Sequence, residues 1–162
     1  MLWNEIFLDA ACGETPCDST YMKQVHSTTP LGSSVLHFAV CGGNLDSIKF
    51  LLERNLDPNM PNQYGETPLH WACKSGNVEV VELLLSLGAE PNLRDSEGNT
   101  ALHWAAEYDD LEIIEILLRY GASGRMKDGR GRSPYRVAKR EGATKATLKV
   151  LRHAKTHVHC KY

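Results

Sequence analysis

The sequence predicts an all-α solenoid of helix-turn-helix units joined by short β-hairpin loops, and three observations lead there. Gly32, Gly65, Gly98 and Gly131 recur at an interval of 33 residues, a period that marks stacked small units rather than one globular core. Four residues after each glycine stands Leu36, Leu69, Leu102 or Tyr135, and a second apolar stripe with helical spacing follows in every unit. Arrays of this kind present a surface to a partner, so binding is the activity to look for first.

Each unit carries its own start, break and stop. Thr67 can cap a first helix, and Pro68 behind it gives up only an N–H that has no partner at that position; Ser133 and Pro134 repeat the device. Small or polar breaks follow at Gly42-Gly43-Asn44, Ser75-Gly76-Asn77, Tyr108-Asp109-Asp110 and Glu141-Gly142-Ala143. In the second helix Val80, Val81, Leu84 and Leu85 turn inward while Glu79 and Glu82 turn outward. Ile113, Ile114, Leu117 and Leu118 reproduce that stripe, and Ser47, Ile48, Leu51 and Leu52 do so less completely. Gly88 and Gly121 stand where a helix ends in a left-handed residue, and segments such as Asp95-Ser96-Glu97-Gly98 are hairpin tips leading to the next unit.

In register, the first helices begin Ser34-Val35-Leu36-His37-Phe38-Ala39, Thr67-Pro68-Leu69-His70-Trp71-Ala72, Thr100-Ala101-Leu102-His103-Trp104-Ala105 and Ser133-Pro134-Tyr135-Arg136-Val137-Ala138. The second follows a T-P-L-H-x-A signature, and over residues 32–152 the chain resembles the ankyrin repeat family. The units expected on that basis are 32–64, 65–97, 98–130 and a degenerate capping repeat at 131–152, with an N-terminal capping segment at 1–31 and a basic, His-rich tail at 153–162. Within the N-terminal segment, 7–13 resembles a first helix, 18–25 is the candidate second helix and 27–30 a loop. In the capping repeat the apolar quartet has become Ala146, Thr147, Val150 and Leu151 among Lys145, Lys149 and Arg152, which suits an outer face in water.

The resemblance also implies roles. His37, His70 and His103, with Thr67 and Thr100 beside them, brace the turns between repeats through hydrogen bonds. Hairpin tips and the exposed ends of first helices line a concave recognition surface: Gln63, Tyr64, Glu66, Lys74 and Ser75; Arg94, Ser96, Glu97, Asn99, Glu107 and Tyr108; Arg130, Arg132 and Arg140. Tyr108, a large amphipathic ring beside Glu107 and two aspartates, is the leading hot-spot candidate. Trp71 and Trp104 suit either inter-repeat packing or partial exposure on that face.

The net charge of −2 hides two opposed halves: residues 1–124 carry −12 and residues 125–162 carry +10. Such a gradient can orient a partner or support self-association of acidic middle against basic end. Nucleic-acid or anionic-surface binding by the basic end is the alternative of another class, disfavoured because no readout motif accompanies the charge. The histidines of the repeats stand too far apart for one metal ion, and His153, His157, His159 and Cys160 match no strong zinc signature, so no metal or cofactor is expected. Phosphate-binding loops, nucleophile elbows and zinc-binding helices are lacking, and no catalysis is expected. No secretory signal or membrane span is visible, and the odd number of five cysteines, with Cys41 and Cys73 inside first helices, suggests reduced, buried thiols in a cytoplasmic or nuclear protein. The expectation is a non-catalytic adaptor or regulatory subunit that binds a protein partner. By analogy of architecture that partner is a kinase or cell-cycle component, or a transcription factor if the chain is a viral or effector-type mimic of an inhibitor of NF-kappa-B.

Overall fold

A computed structural model describes residues 28–154, so the segments 7–13 and 18–25 and the tail from residue 155 onward lie outside the described residues. Within them stand α1 (Val35–Gly42), α2 (Leu45–Leu52), α3 (Pro68–Ser75), α4 (Val78–Ser86), α5 (Ala101–Glu107), α6 (Leu111–Arg119), α7 (Pro134–Glu141) and α8 (Lys145–Ala154). The odd-numbered helices pack on one another in sequence and the even-numbered ones form a second row behind them. The result is a two-layer solenoid with one continuous apolar core between the layers.

Local chemistry sets these helices. Asn44, Asn77 and Asp110 cap α2, α4 and α6 by accepting the amides of Ser47, Val80 and Ile113 at 2.8, 3.1 and 3.1 Å. Gly88 and Gly121 take positive φ of 96° and 91° just beyond α4 and α6. The α4 stripe is buried as the spacing predicts, but in α6 the fourth inward position belongs to Ile116, while Leu118 is half-buried. Thr147 and Leu151 alone of the α8 quartet are fully buried, leaving Ala146 exposed on the open end of the stack.

Two sequence expectations need correction. The loops form tight turns rather than hairpins with strands: among the described residues the one strand-like pairing is an isolated bridge between Thr28 and Ser34. Each tip closes with two backbone hydrogen bonds, such as Asn62 N–H to Glu66 O and Gly65 N–H to Asn62 O, both 2.9 Å, after which the chain enters the next helix directly. Tips then bond sideways instead of lengthening: Gln63 N–H donates to Leu31 O, Ser96 to Tyr64 O and Gly129 to Glu97 O. That contact is tight enough at Gly129 that a Cβ would stand 2.6 Å from Glu97 O. Cys73 is buried, and burial pushes its thiol far up, but Cys41 is exposed. Cys41 occupies the register of Lys74, one residue and about 100° around the helix from the buried position that Cys73 shares with Val40.

The repeats are tied by a row of imidazoles. Ser34, Thr67 and Thr100 donate their amides at 3.1 Å to Nδ1 of His37, His70 and His103. Nδ1 is therefore the bare nitrogen, and Nε2–H donates to the next unit's carbonyl: Glu66 O at 3.0 Å, Asn99 O at 3.3 Å and Arg132 O at 3.1 Å. All three rings are at most 1% exposed. Burial holds their pKa values below the ordinary 6.5, against the opposing pull of the carbonyls and nearby carboxylates.

The unfolded chain accordingly takes up protons near pH 6.5 that the folded chain refuses, so the stability these rings contribute is complete above that pH and is lost as pH falls through it. Thermal melts should show a plateau above about pH 7 and a steady fall in Tm between about pH 6.5 and 5. A Tm unchanged across that interval would contradict neutral, engaged imidazoles.

Candidate recognition groove

The groove is built on the turn tips, and the tips rest on residues that the sequence reading passed over. Asn62, Asp95 and Asp128, again 33 apart, are 6%, 8% and 6% exposed. In each, Oδ1 gathers the amides two and four residues on: Tyr64 and Glu66, Glu97 and Asn99, Arg130 and Arg132, at 2.7 to 3.0 Å. Their signal was present in the sequence as an Asn or Asp three residues before Gly65, Gly98 and Gly131.

The second side-chain atom of each cradle meets the residue four further on, and here the repeats differ. In one tip Asn62 Nδ2 donates to Glu66 Oε2 at 2.9 Å; in the next the acid and amide have changed places, and Asn99 Nδ2 donates to Asp95 Oδ2 at 3.1 Å. The tryptophan above follows the acid. Trp71 Nε1–H donates to Glu66 Oε2 at 2.8 Å, Trp104 Nε1–H to Asp95 Oδ2 at 3.0 Å. Both indoles also lie edge-on to imidazoles, Trp71 to His37 at 5.2 Å and Trp104 to His70 at 6.2 Å. Both are half-buried and pack on the core, and Trp104 also lines the groove. In the third tip the amide's place is taken by Arg132, whose Nε donates to Asp128 Oδ2 at 2.7 Å. Desolvation works to raise the Asp128 pKa, but the hydrogen bonds and charge of Arg132 and the Arg130 amide outweigh it and hold the carboxyl below its ordinary value.

Tyr64, Glu66, Lys74, Ser96, Glu97, Asn99, Glu107 and Tyr108 come together around one cleft of about 290 Å³, joined by Asp95 and Trp104. Tyr64 and Tyr108 are 50% and 51% exposed, so both rings face solvent across it. Lys74 Nζ stands 5.5 Å from the centre of the Trp104 ring, within cation–π range. The remaining candidates lie outside the cleft lining. Gln63 uses its amide on Leu31 O, Ser75 Oγ donates to Ala72 O, and Arg94 Nη1 donates to Gly98 O and Lys127 O. Arg130 sits on the Asp128 cradle, Arg132 is ion-paired there, and Arg140 pairs with Glu141 at 3.3 Å.

Tyr108 owes its place to an exchange at the end of α5. The equivalent helix ends use Gly43, Gly76 and Gly142, whereas here Asp109 takes the left-handed conformation at φ 56°. The strain of a side chain there is offset by a bond no glycine could make. Asp109 accepts Thr144 N–H at 3.0 Å and Thr144 Oγ1–H at 3.3 Å, tying this turn to the turn between α7 and α8.

Period, two-layer stacking, imidazole row and turn tips together point to one family, and a family model decides it: the model described as Ankyrin repeats (3 copies) matches residues 8–95, 36–128 and 87–161. The chain belongs to the ankyrin repeat family. Comparison with curated proteins gives no significant match. Ankyrin repeats are protein–protein interaction modules, and no helix among the described residues of this ankyrin protein is long and apolar enough to cross a membrane.

The exchange of acid and amide yields a sharp test. In Asp95→Asn the cradle oxygen survives, but an NH2 group then faces two other donors, Asn99 Nδ2 and Trp104 Nε1, and the cost should be about 2 kcal/mol in chemical denaturation. Adding Asn99→Glu re-creates the arrangement of the preceding ankyrin repeat and should recover most of that loss. A double variant as unstable as the two single losses added would contradict the exchange.

Proposed function

We propose that the chain is a non-catalytic adaptor or regulatory subunit of the cytoplasm or nucleus, and that it holds a partner protein in the cleft between the tips at 62–66 and 95–99. One observation carries this reading: two half-exposed tyrosines flank a cleft whose other walls are Trp104, Glu97, Glu107 and Lys74. Aromatic rings with polar edges at the centre of a patch are what interaction hot spots are made of.

The rim also favours a kind of partner. Glu66 and Asp95 are occupied by hydrogen bonds, but Glu97 and Glu107 stand exposed on the cleft. A partner segment with an apolar or aromatic anchor flanked by Lys or Arg would fill the cleft and meet those carboxylates, with the acidic field of residues 1–124 speeding its approach. A kinase or a transcription factor presenting such a segment fits, as a cell-cycle regulator or a mimic of an NF-kappa-B inhibitor would require.

Affinity purification of the tagged chain from its own cells, compared with a Tyr108→Ala, Glu107→Lys variant, tests the cleft. Recovery of the specific partners should fall at least about tenfold, while Glu112→Lys on the even-helix layer leaves it unchanged. Equal recovery with the cleft variant would remove the proposal.

A further inference from the structure

At the far end of the stack the motif changes in a way that leaves chemistry exposed. In three repeats the hydroxyl of Ser34, Thr67 or Thr100 lies 2.9 Å from an imidazole Nδ1, and the imidazole spans to the following unit. In the fourth the imidazole's position is Arg136, and Ser133 Oγ is buried with no hydrogen-bond partner although the residue is only 4% exposed. A buried polar atom left unpaired carries a free-energy cost and awaits a partner.

Ser133 lines a cavity of about 290 Å³ together with Arg125, Lys127, Gly131 and Arg136. The corresponding surface of the preceding repeat is covered by the next tip. There Arg94 reaches Lys127 O, a Cβ at Gly98 would stand 2.7 Å from Gly129 N, and His103 holds Arg132 O. At Gly131 a Cβ would meet nothing within 4 Å. The cavity is therefore the seat in which each inner repeat receives the next unit's backbone oxygen, here left open and lined by three cations. Among the described residues no carboxylate lines it, and the nearby Asp128 is ion-paired with Arg132.

We propose that this seat binds a phosphoryl dianion carried on a serine or threonine side chain of a protein partner, a reading that rests on the protein-binding function above. The charges of Lys127 and Arg136 already exceed what one carboxylate can match, whereas a phosphoryl group offers two negative charges and three acceptor oxygens for guanidinium, ammonium and hydroxyl donors. The N-terminal end of α7, which opens directly behind Ser133, adds a positive potential of its own. A single cavity of this size takes one phosphoryl group rather than a run of them, and the charge of −12 on residues 1–124 opposes a nucleic-acid backbone lying along the stack.

The test follows amide chemical shifts of the 15N-labelled full chain. It is titrated with N-acetyl-phosphoserine methylamide, with inorganic phosphate, and with the unphosphorylated serine compound, all at matched ionic strength. Saturating shifts at Gly131, Ser133 and Arg136 are expected with the phosphoserine compound and not with its unphosphorylated form. Arg136→His should rebuild the inner-repeat bond to Ser133, keep the remaining spectrum and a Tm at least as high, and weaken binding at least about tenfold. No saturation, or equal binding by Arg136→His, overturns the site; a response to inorganic phosphate without one to phosphoserine overturns its protein-borne source. The Tyr108→Ala, Glu107→Lys variant lies in the other cleft and should titrate like the parent chain, so failure of the cleft and failure of the seat are read separately.

Discussion

The stack depends on one imidazole in each of three successive repeats, with both nitrogens in use. Because Nδ1 accepts the amide that opens its own helix, the ring's tautomer is set, and Nε2–H can only donate outward, to the carbonyl 29 residues on in the next unit. A helix pair sliding by one residue would leave a buried donor and a buried acceptor unpaired at each junction. The stack therefore has one register, and the tips of successive turns come to rest at hydrogen-bonding distance from one another.

That fixed spacing makes a recognition surface out of loops. A turn of five residues is ordinarily mobile, but here each tip is held from within by the Asn62, Asp95 or Asp128 cradle, from behind by an imidazole, and from the side by its neighbour. Tyr64, Glu97 and Tyr108 stand on these supports at defined separations. The charge distribution follows the same architecture. Carboxylates consumed inside the tips, such as Glu66 and Asp95, hold tryptophans in place, whereas those that remain exposed, Glu97 and Glu107, set the potential of the cleft.

How much of this the sequence discloses depends on whether the information is periodic. Stacking of helix pairs, the inward stripe of Val80, Val81, Leu84 and Leu85, and the terminal glycines at 88 and 121 all repeat every 33 residues and were legible. What depends on angle or on atoms was not. Cys41 differs from the buried Cys73 by a single helical step, and Ile116 and Leu118 reverse the burial of their α4 counterparts Leu83 and Leu85, a difference that the shared i, i+1, i+4, i+5 count does not carry. The exchange of acid and amide between Asn62/Glu66 and Asp95/Asn99 keeps one negative charge in each tip and so leaves no trace in a count of charges. The unpaired Ser133 hydroxyl is visible only once the ring that should meet it is seen to be an arginine.

The central claim is that each imidazole couples its own helix start to the following tip, and native-state hydrogen exchange on a His70→Ala variant tests it most directly. Thr67 N–H donates to the lost ring and Ser96 N–H lies in the tip ahead, bonded to Tyr64 O. Coupling predicts that both amides lose protection together and by a similar factor. Loss at Thr67 with Ser96 still protected as in the parent chain would show that the repeats are held together by something else.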